Sequence, residues 1–358
     1  MKKLLFFNQI PLAGNKKEYS VDEKLKYVGL NTGNIVYVGA LKNQVLYDKE
    51  IWFSESVIED KNNLIGIIPC ANMIGVHDVC TEIWGEYIKK WDIPITLIGL
   101  GAQSTKELNT PKKLVNALPK EKIAALKRIS GQAISLGIRG EFTAECLELM
   151  GIYNYRIIGC PSLYREMKDN FRPIDFPSKK KCVINLLPYS ALASKILNMG
   201  MTNNAKWIMQ ESSEMPKTFL ENKEIEFRHI ATRFPDSNIS VNVLESYMRA
   251  NSKIFWDMDE WSAYLQKEKF TFSFGSRFHG NVMSLLNGIP ALWITHDSRT
   301  QELVDTFSLP YITNKELCLI KNIDELIQYC NYDLFYKKYK IMFNEYLHFL
   351  EENEIPHI

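Results

Sequence analysis

The sequence has no C-x-x-C cysteine pair, no long apolar run and no excess of charge of either sign. Its 7 cysteines are an odd number, which disfavours both a disulfide framework and a zinc site. Reduced thiols are therefore expected. No stretch approaches the ~20 apolar residues of a membrane span, and the apolar run at residues 4–7 stops at Asn8, too early for the core of a signal peptide. We therefore expect a soluble, cytoplasmic protein without a transmembrane segment.

The charges of the chain are almost balanced. Lysine and arginine number 43 against 42 aspartate and glutamate residues, a formal net charge of +1. Nucleic-acid-binding proteins usually carry a basic stripe or patch, whereas the one compact basic run here, at residues 179–181, is better explained as part of a solvated linker. We expect no nucleic-acid partner.

Several motifs of common enzyme classes are also missing. There is no G-x-x-x-x-G-K-[ST] phosphate loop and no G-x-G-x-x-G on the first strand, so neither an NTPase nor a dinucleotide-dependent enzyme is favoured. No H-E-x-x-H motif or cysteine–histidine cluster indicates zinc, and no G-x-S-x-G motif indicates a serine hydrolase. We therefore expect neither a metal nor a cofactor.

What the sequence does contain is a regular alternation of short apolar runs and segments of helical period. With 358 residues the chain is long enough for two domains. Most of the runs are continuously apolar, which is typical of parallel strands covered by helices on both faces. The predicted strands are residues 64–68, 95–98, 133–138 and 156–158 in the first half, and 182–187, 227–230, 253–256, 270–274 and 291–295 in the second.

A segment with two prolines, scattered charge and no periodicity separates the two halves. We predict an N-terminal Rossmann-like domain at residues 1–165, a linker at 166–181, a C-terminal Rossmann-like domain at 182–325 and a helical tail at 326–358. The fold class is therefore α/β, with two doubly wound domains facing each other across a cleft. Ligands of such sheets bind outside the carboxyl ends of the strands, so polar residues at those positions deserve most weight.

The strongest local signal follows the predicted strand at residues 270–274. A glycine turn leads through Arg277 and His279 into a helix that also carries Asn281. Arginine offers a rigid fork for a carboxylate or phosphate, histidine carries protons near neutral pH, and a helix amino end favours an anion. Arg277 and His279 are the candidate catalytic residues, and Asn281 is a candidate for substrate binding. The alternative is an arginine that forms a salt bridge across the cleft and a histidine that caps its own helix.

The next strand, at residues 291–295, leads to a similar polar segment. Asp297, Arg299 and Glu302 are predicted to lie on the same rim and to contact substrate, while Ser298 and Gln301 are predicted to form a capping box. For Glu302, simple stabilisation of a helix first turn explains its position equally well.

The first half offers weaker signals of the same kind. Arg139 follows the predicted strand at residues 133–138, in the position that Arg277 occupies in the second half. Gln103 ends a glycine-containing turn, which allows backbone to approach a ligand. Asn34 and Asn72 also stand at polar turns. We name all four as candidate substrate-binding residues, although Gln103 could be only a turn residue and Arg139 could pair with a carboxylate on its own helix.

Several of these segments together resemble the polysaccharide pyruvyl transferase family. They are G-L-G-A-Q at residues 99–103, G-I-R-G-E-F-T at 137–143 with I-G-C-P-S at 158–162, S-R-F-H-G at 276–280, and G-I-P at 288–290 with D-S-R-T-Q-E-L at 297–303. The resemblance implies a GT-B-like fold and transfer of pyruvate from phosphoenolpyruvate to a pair of sugar hydroxyls as a ketal. It places the enzyme in the biosynthesis of exopolysaccharide, capsule or cell-wall polymer.

The resemblance also suggests roles and partners. His279 would transfer protons, Arg277 would hold the donor carboxylate or phosphate, and Arg139 would reach the same donor from across the cleft. Asp297 and Glu302 would contact acceptor hydroxyls or orient His279. The acceptor would be a saccharide, free or lipid-linked, and a homo-oligomer is compatible with this activity.

Two other functions fit the same residues. A glycosyltransferase of the same two-domain shape would use a nucleotide sugar, with Arg277 on the diphosphate. A non-catalytic saccharide- or anion-binding protein would bind its ligand without releasing phosphate.

Overall fold

The computed structural model describes residues 2–8, 19–52, 61–77, 80–172, 174–176, 180–188, 192–210, 215, 220, 230–234 and 239–358. The strands of this part of the chain form two sheets, each of six parallel strands. The predicted α/β class is confirmed.

The first sheet has the strand order β2-β1-β3-β4-β5-β6, and the second has the order β12-β11-β10-β7-β8-β9. The strands of the first sheet are β1 Lys3–Asn8, β2 Lys49–Trp52, β3 Leu64–Pro69, β4 Ile95–Leu100, β5 Leu136–Ile138 and β6 Tyr155–Ile157. Those of the second are β7 Cys182–Asn185, β8 Lys206–Ile208, β9 Ser252–Lys253, β10 Phe272–Gly275, β11 Ala291–Thr295 and β12 Tyr311–Thr313.

The helices connect these strands. They are α1 Val21–Tyr27, α2 Asn34–Gln44, α3 Cys80–Trp91, α4 Pro111–Ala117, α5 Lys120–Ser130 and α6 Glu141–Leu149, followed by a 3-10 turn at Pro161–Tyr164. In the second half they are α7 Ala193–Thr202, α8 Val241–Asn251, α9 Met258–Glu268, α10 Phe278–Leu286, α11 Ser298–Phe307, α12 Asn314–Leu319, α13 Ile323–Ile327 and α14 Asp333–Glu352.

Strand β1 shows why the apolar runs of this sequence are continuous. Leu4 and Phe6 pack into one core cluster, whereas Leu5 and Phe7 pack into another on the opposite face. Successive side chains of a strand point to opposite faces, so a strand covered on both sides needs an apolar residue at every position. The doubly wound arrangement follows from this double burial.

Some sequence predictions of strands were wrong or incomplete. Residues 253–256 were predicted as a strand, but the strand there is only Ser252–Lys253, and Phe255 and Trp256 pack into the core as irregular chain. The sequence prediction missed β1, β2, β8 and β12, which have at most six residues each. Most of the predicted strand at 227–230 lies outside the described residues.

The last helix, α14, returns to the first sheet. Arg156 on β6 bonds to Glu345 and Glu352 through Nη1 and Nη2, at 2.6 Å and 2.7 Å. The Tyr346 hydroxyl donates to Oε1 of Gln44 at 2.7 Å. The tail therefore joins the second half of the chain to the first. Within the residues that the structure describes, no helix combines the length and apolar character needed to cross a membrane.

Candidate active site

Arg139 lies between the two sheets, directly after β5. Only 2% of the residue is exposed. Its Nε donates to the carbonyl of Gly99 at 2.9 Å and its Nη1 donates to Oδ1 of Asn72 at 2.7 Å. Nη2 is buried and has no hydrogen-bond partner in the described part of the chain. The side-chain hydrogen bonds of Arg139 thus lead to Gly99 near the end of β4 and to Asn72, and not to Glu141 or Glu145.

Gly101 explains the glycine-containing turn that the sequence places before Gln103. A Cβ atom on this residue would lie 2.7 Å from Cδ of Arg139 and 3.0 Å from Oδ1 of Asn72. Any side chain here would push the arginine or the asparagine out of place. The glycine is therefore required by the position of Arg139.

His279 is the second residue of α10 and faces residues of the first half. Its ring lies 5.6 Å from the ring of Tyr37, and its Nε2 lies 3.6 Å from Sγ of Cys160. Burial, and then the positive charge of Arg139, lower the pKa of His279 to about 3. The imidazole is therefore neutral at pH 7.

Arg277 is the N-cap residue of α10 and is partly exposed. Its backbone N–H donates to Oδ1 of Asn185 on β7 at 3.1 Å. Its charge is close enough to His296 to lower the pKa of that residue, after the larger effect of burial. Arg277 and His279 thus stand at the carboxyl edge of the second sheet, as the sequence predicted.

Asn281 has a different place from the one predicted. It has no exposed surface. Its Oδ1 accepts from Asn185 and Ser273, and its Nδ2 donates to the carbonyls of Gly275 and Leu292. All the hydrogen bonds that one amide can make are used to join strands to α10. Asn281 therefore holds this junction together and does not face a cavity.

Glu302 connects α11 of the second half to α6 of the first. Its Oε1 accepts from the backbone N–H of Thr143 at 2.7 Å, and its Oε2 accepts from the hydroxyl of Thr143 at 3.0 Å. A Cβ atom on Gly140 would lie 2.6 Å from Cγ of Glu302. Burial raises the pKa of Glu302 to about 7, although the Thr143 bonds and the charge of Arg139 act against that rise.

Asp297 and Arg299 form a local pair at the start of α11. Asp297 is the N-cap residue and accepts from the Thr300 backbone N–H at 3.0 Å, and the Nε of Arg299 donates to its Oδ2 at 2.6 Å. Burial opposes ionisation of Asp297, but the charges of Arg299 and His296 hold its pKa below its usual value. The predicted capping box of Ser298 and Gln301 was therefore wrong.

Those two side chains make other contacts. The Ser298 hydroxyl accepts from the Ser104 backbone N–H at 3.1 Å, across the two halves, and Gln301 bonds to Asp305 within α11. A capping box needs a glutamate or glutamine three residues after the cap. Asp297 takes the N-cap position instead of Ser298, because the helix begins at Ser298, one residue earlier than that pattern requires.

The remaining predicted site residues lie farther out. Asn34 begins α2, and its Nδ2 donates to the carbonyl of Val28 at 3.1 Å, so it holds the connection between α1 and α2. Gln103 is partly buried, and its backbone N–H donates to the carbonyl of Ile74 at 2.8 Å. Of the predicted residues, the structure brings together Arg139, Asn72, His279 and Glu302.

Two buried residues beside α10 were not among the predicted site residues. Cys160 is buried beside His279, within a motif that the sequence displays. Gln210 is 1% exposed, and its Nε2 has no partner in the described chain. The amide of Gln210 lies between Gly33 of the first half and Gly280 of α10. Its position follows β8, which the sequence did not predict, so no pattern pointed to it.

A cavity of about 960 Å³ opens between the carboxyl ends of the two sheets. Glu141 and Phe142 of α6 line one side, His296 and Glu302 another, and Lys338 of α14 closes it. Arg139, Arg277 and His279 are not part of its lining. Glu302 links the cavity to the surroundings of Arg139, because it lines the cavity and also lies within reach of the charge of Arg139.

Comparison with solved structures gives remote similarity over most of the chain. A UDP complex of Staphylococcus aureus MnaA is 10% identical, with 95% of this chain and 91% of that chain covered and a TM-score of 0.44. A Listeria monocytogenes protein provisionally identified as a UDP-N-acetylglucosamine 2-epimerase is 11% identical, with 98% of each chain covered and a TM-score of 0.46. An uncharacterised Klebsiella pneumoniae protein is 10% identical, with 85% and 88% covered and a TM-score of 0.42.

No curated protein sequence matches the chain. A family model does match, and its description is polysaccharide pyruvyl transferase. The match extends over residues 81–298, which include Arg139, Arg277, His279 and the turn after β4. Since this match covers more than half of the chain, the protein belongs to the polysaccharide pyruvyl transferase family.

Proposed function

We propose that the protein transfers a pyruvyl group from phosphoenolpyruvate to two hydroxyls of a saccharide, which forms a cyclic ketal and releases phosphate. Family membership supports a transferase with a saccharide acceptor. The observation that carries the proposal is the contact of His279 with the first half, where its Nε2 lies 3.6 Å from Sγ of Cys160, and where burial and then the charge of Arg139 lower its pKa. An anionic enol donor needs such a pairing of an anion-binding group with a proton carrier.

The donor carries a carboxylate and a phosphate, and we assign two arginines to hold them. Arg139 has a buried Nη2 without a partner in the described chain, and a planar guanidinium suits an oxygen anion. Arg277 caps the amino end of α10, where the helix dipole also favours negative charge. Arg299 is already paired with Asp297, so we assign it to orient that carboxylate.

His279 is the group that would move the protons. The first sugar hydroxyl adds to C2 of the enol, gives up its proton and leaves C3 to be protonated to a methyl group. The second hydroxyl then forms a bond to C2 as the bond from C2 to the phosphate oxygen breaks, and its proton leaves on the released phosphate. A neutral imidazole can take the first hydroxyl proton and pass it to C3.

His279 suits this cycle once the bound donor has raised its pKa. A trianionic donor beside the ring favours the imidazolium, so the pKa rises from about 3 toward the working pH. Arginines near the leaving phosphate stabilise its developing charge. Both effects require the donor to lie between Arg139 and Arg277.

The test is phosphate release from phosphoenolpyruvate by the purified protein across a panel of free and lipid-linked saccharides. We expect release that depends on one acceptor class, with a ketal product identified by mass spectrometry. Consumption of a nucleotide sugar instead would assign a glycosyltransferase. Binding of donor and saccharide without phosphate release under any condition would assign a non-catalytic binding protein.

A further inference from the structure

The cavity of about 960 Å³ has no role in the chemistry proposed above. It lies at the carboxyl ends of β11 and β12, opposite α6 of the first half. Its volume is in the range of ~300–1,000 Å³ that is usual for small-molecule sites. Apolar surface from Phe142, Ile157 and Met342 alternates with polar groups along its wall. Such a mixture is what ligand pockets offer, namely apolar contact and a few polar groups that set orientation.

Two polar side chains in the wall have unsatisfied atoms. In the described chain neither buried ring nitrogen of His296 has a partner at normal hydrogen-bond geometry, although the Ile294 backbone interacts with the ring, and Asn314 has a buried Oδ1 without a partner. The Oδ2 of Asp297 lies 3.5 Å from Nε2 of His296, at ion-pair distance only. Buried polar atoms usually have partners, so unsatisfied atoms that line a cavity indicate a ligand that supplies them.

These two residues are neighbours by the register of the second sheet. Thr295 of β11 pairs with Thr313 of β12, and His296 and Asn314 each follow directly. The parallel strands are ~4.7–4.9 Å apart. The backbones of His296 and Asn314 therefore stand side by side at one edge of the cavity. A neutral imidazole and an amide are groups that can bind saccharide hydroxyls.

The charges of the wall narrow the class of ligand. Lysines and carboxylates line the cavity in nearly equal number. A polyanion such as a nucleoside diphosphate needs an excess of positive charge, which this wall does not have. The arginines assigned to the anionic donor lie outside it. The wall suits a polar ligand without net charge.

We propose that this cavity is the acceptor site, and that His296 and Asn314 bind hydroxyls of a neutral saccharide there. The assignment of the bound saccharide as the acceptor rests on the proposed function, whereas saccharide binding in the cavity does not depend on it. Glu302 forms the shared wall between the cavity and the junction that contains Arg139. A saccharide in the cavity would therefore extend toward the donor at Glu302.

The test measures saccharide binding without donor. Saturation-transfer NMR and titration would use the methyl β-glycosides of glucose, galactose, mannose and N-acetylglucosamine. We expect at least one to bind the wild type, and we expect Asn314→Leu and His296→Ala to weaken that binding about three- to tenfold each. Asn242→Leu and His348→Ala are matched controls, because both residues are exposed and lie outside the cavity.

Two further measurements, the Tm and the affinity for phosphoenolpyruvate, separate effects on folding and donor binding from effects on saccharide binding. Asn314→Leu removes an unsatisfied buried oxygen, so its Tm should not fall below that of the wild type. Affinity for phosphoenolpyruvate should stay within about twofold in Asn314→Leu, since this substitution changes no charge. Arg277→Ala should show the reverse, with weaker phosphoenolpyruvate binding and unchanged glycoside binding.

Failure of glycosides to bind the wild type, or equal binding in wild type and cavity variants, would overturn the acceptor site. Glycoside binding that the cavity variants weaken, together with no phosphate release from phosphoenolpyruvate, would support the saccharide site and contradict the proposed reaction.

Discussion

The carboxylate of Glu302 accepts two hydrogen bonds from Thr143, one from the backbone N–H at 2.7 Å and one from the hydroxyl at 3.0 Å. Glu302 belongs to α11 of the second half, and Thr143 to the first turn of α6 in the first half. The glutamate therefore satisfies an N–H at the start of a helix in the other half of the chain. The sequence allowed two roles for Glu302, contact with substrate and stabilisation of the first turn of a helix. The helix that Glu302 stabilises is α6 of the first half, and not its own helix α11.

We expect Glu302→Ala to lower the free energy of unfolding by about 1–3 kcal/mol, because the Thr143 N–H and hydroxyl lose their buried partner. Urea unfolding at pH 7 measures the change. Glu121→Ala is the matched control, since Glu121 is exposed on α5, and it should stay within about 0.5 kcal/mol of the wild type. Equal stability of Glu302→Ala and the control would show that this contact contributes nothing.

Glu302→Gln should change how stability depends on pH. The folded-state pKa of Glu302 is about 7 against a usual 4.5, so the folded state binds its proton more tightly than the unfolded state does. Stability from this group is therefore present below about pH 4.5 and is lost as the pH rises through 7. Between pH 5 and pH 8 the wild type should lose about 2 kcal/mol relative to the glutamine variant. Parallel pH profiles of the two proteins in urea unfolding would contradict the raised pKa.

His279→Ala should reduce turnover by roughly a hundredfold or more, as expected when a general acid–base is removed, while the fold is retained. Phosphate release from phosphoenolpyruvate measures the rate, and circular dichroism checks the fold. His348→Ala, at an exposed position of α14, should keep wild-type turnover. Near-wild-type turnover in His279→Ala would remove His279 from the proposed proton transfer.

Arg277→Lys should weaken binding of phosphoenolpyruvate clearly, but less than Arg277→Ala does. A planar fork can bind an oxygen anion through two N–H groups, whereas an ammonium is a point charge and cannot reproduce that geometry. Titration of the donor against intrinsic tryptophan fluorescence gives the three dissociation constants. If wild type and Arg277→Lys bind the donor equally well, then charge alone matters at this position.

Transfer should persist in excess chelator. We expect arginines, and not a divalent ion, to neutralise the donor, in contrast to phosphoryl-transfer sites that depend on magnesium. Initial rates with and without chelator test this. Activity that disappears in chelator and returns with added divalent ion would show that a metal takes part.

The sequence predicted the continuously apolar strands β3, β4 and β11 well, because a strand that is buried on both faces carries an apolar residue at nearly every position. It did not predict β8, which has three residues. For this reason Gln210, which follows β8, was not recognised as a candidate site residue. The sequence also placed Asn281 with the ligand-binding residues, since a polar residue in a loop–helix motif looks the same whether its amide bonds to substrate or to four protein groups.

The sequence by itself determined the α/β class and the placement of Arg139, Arg277 and His279 after strands, because burial patterns and glycine turns are local properties of the chain. Only the tertiary structure decided which of these residues meet. The contact of Glu302 with Thr143 spans 159 positions, and the charge of Arg139 acts on His279 from the other sheet. His296 and Asn314 become neighbours through the register of β11 and β12. Hydrogen bonds and electrostatic effects act over a few ångströms of space, so their partners are set by how the two sheets face each other and not by spacing along the chain.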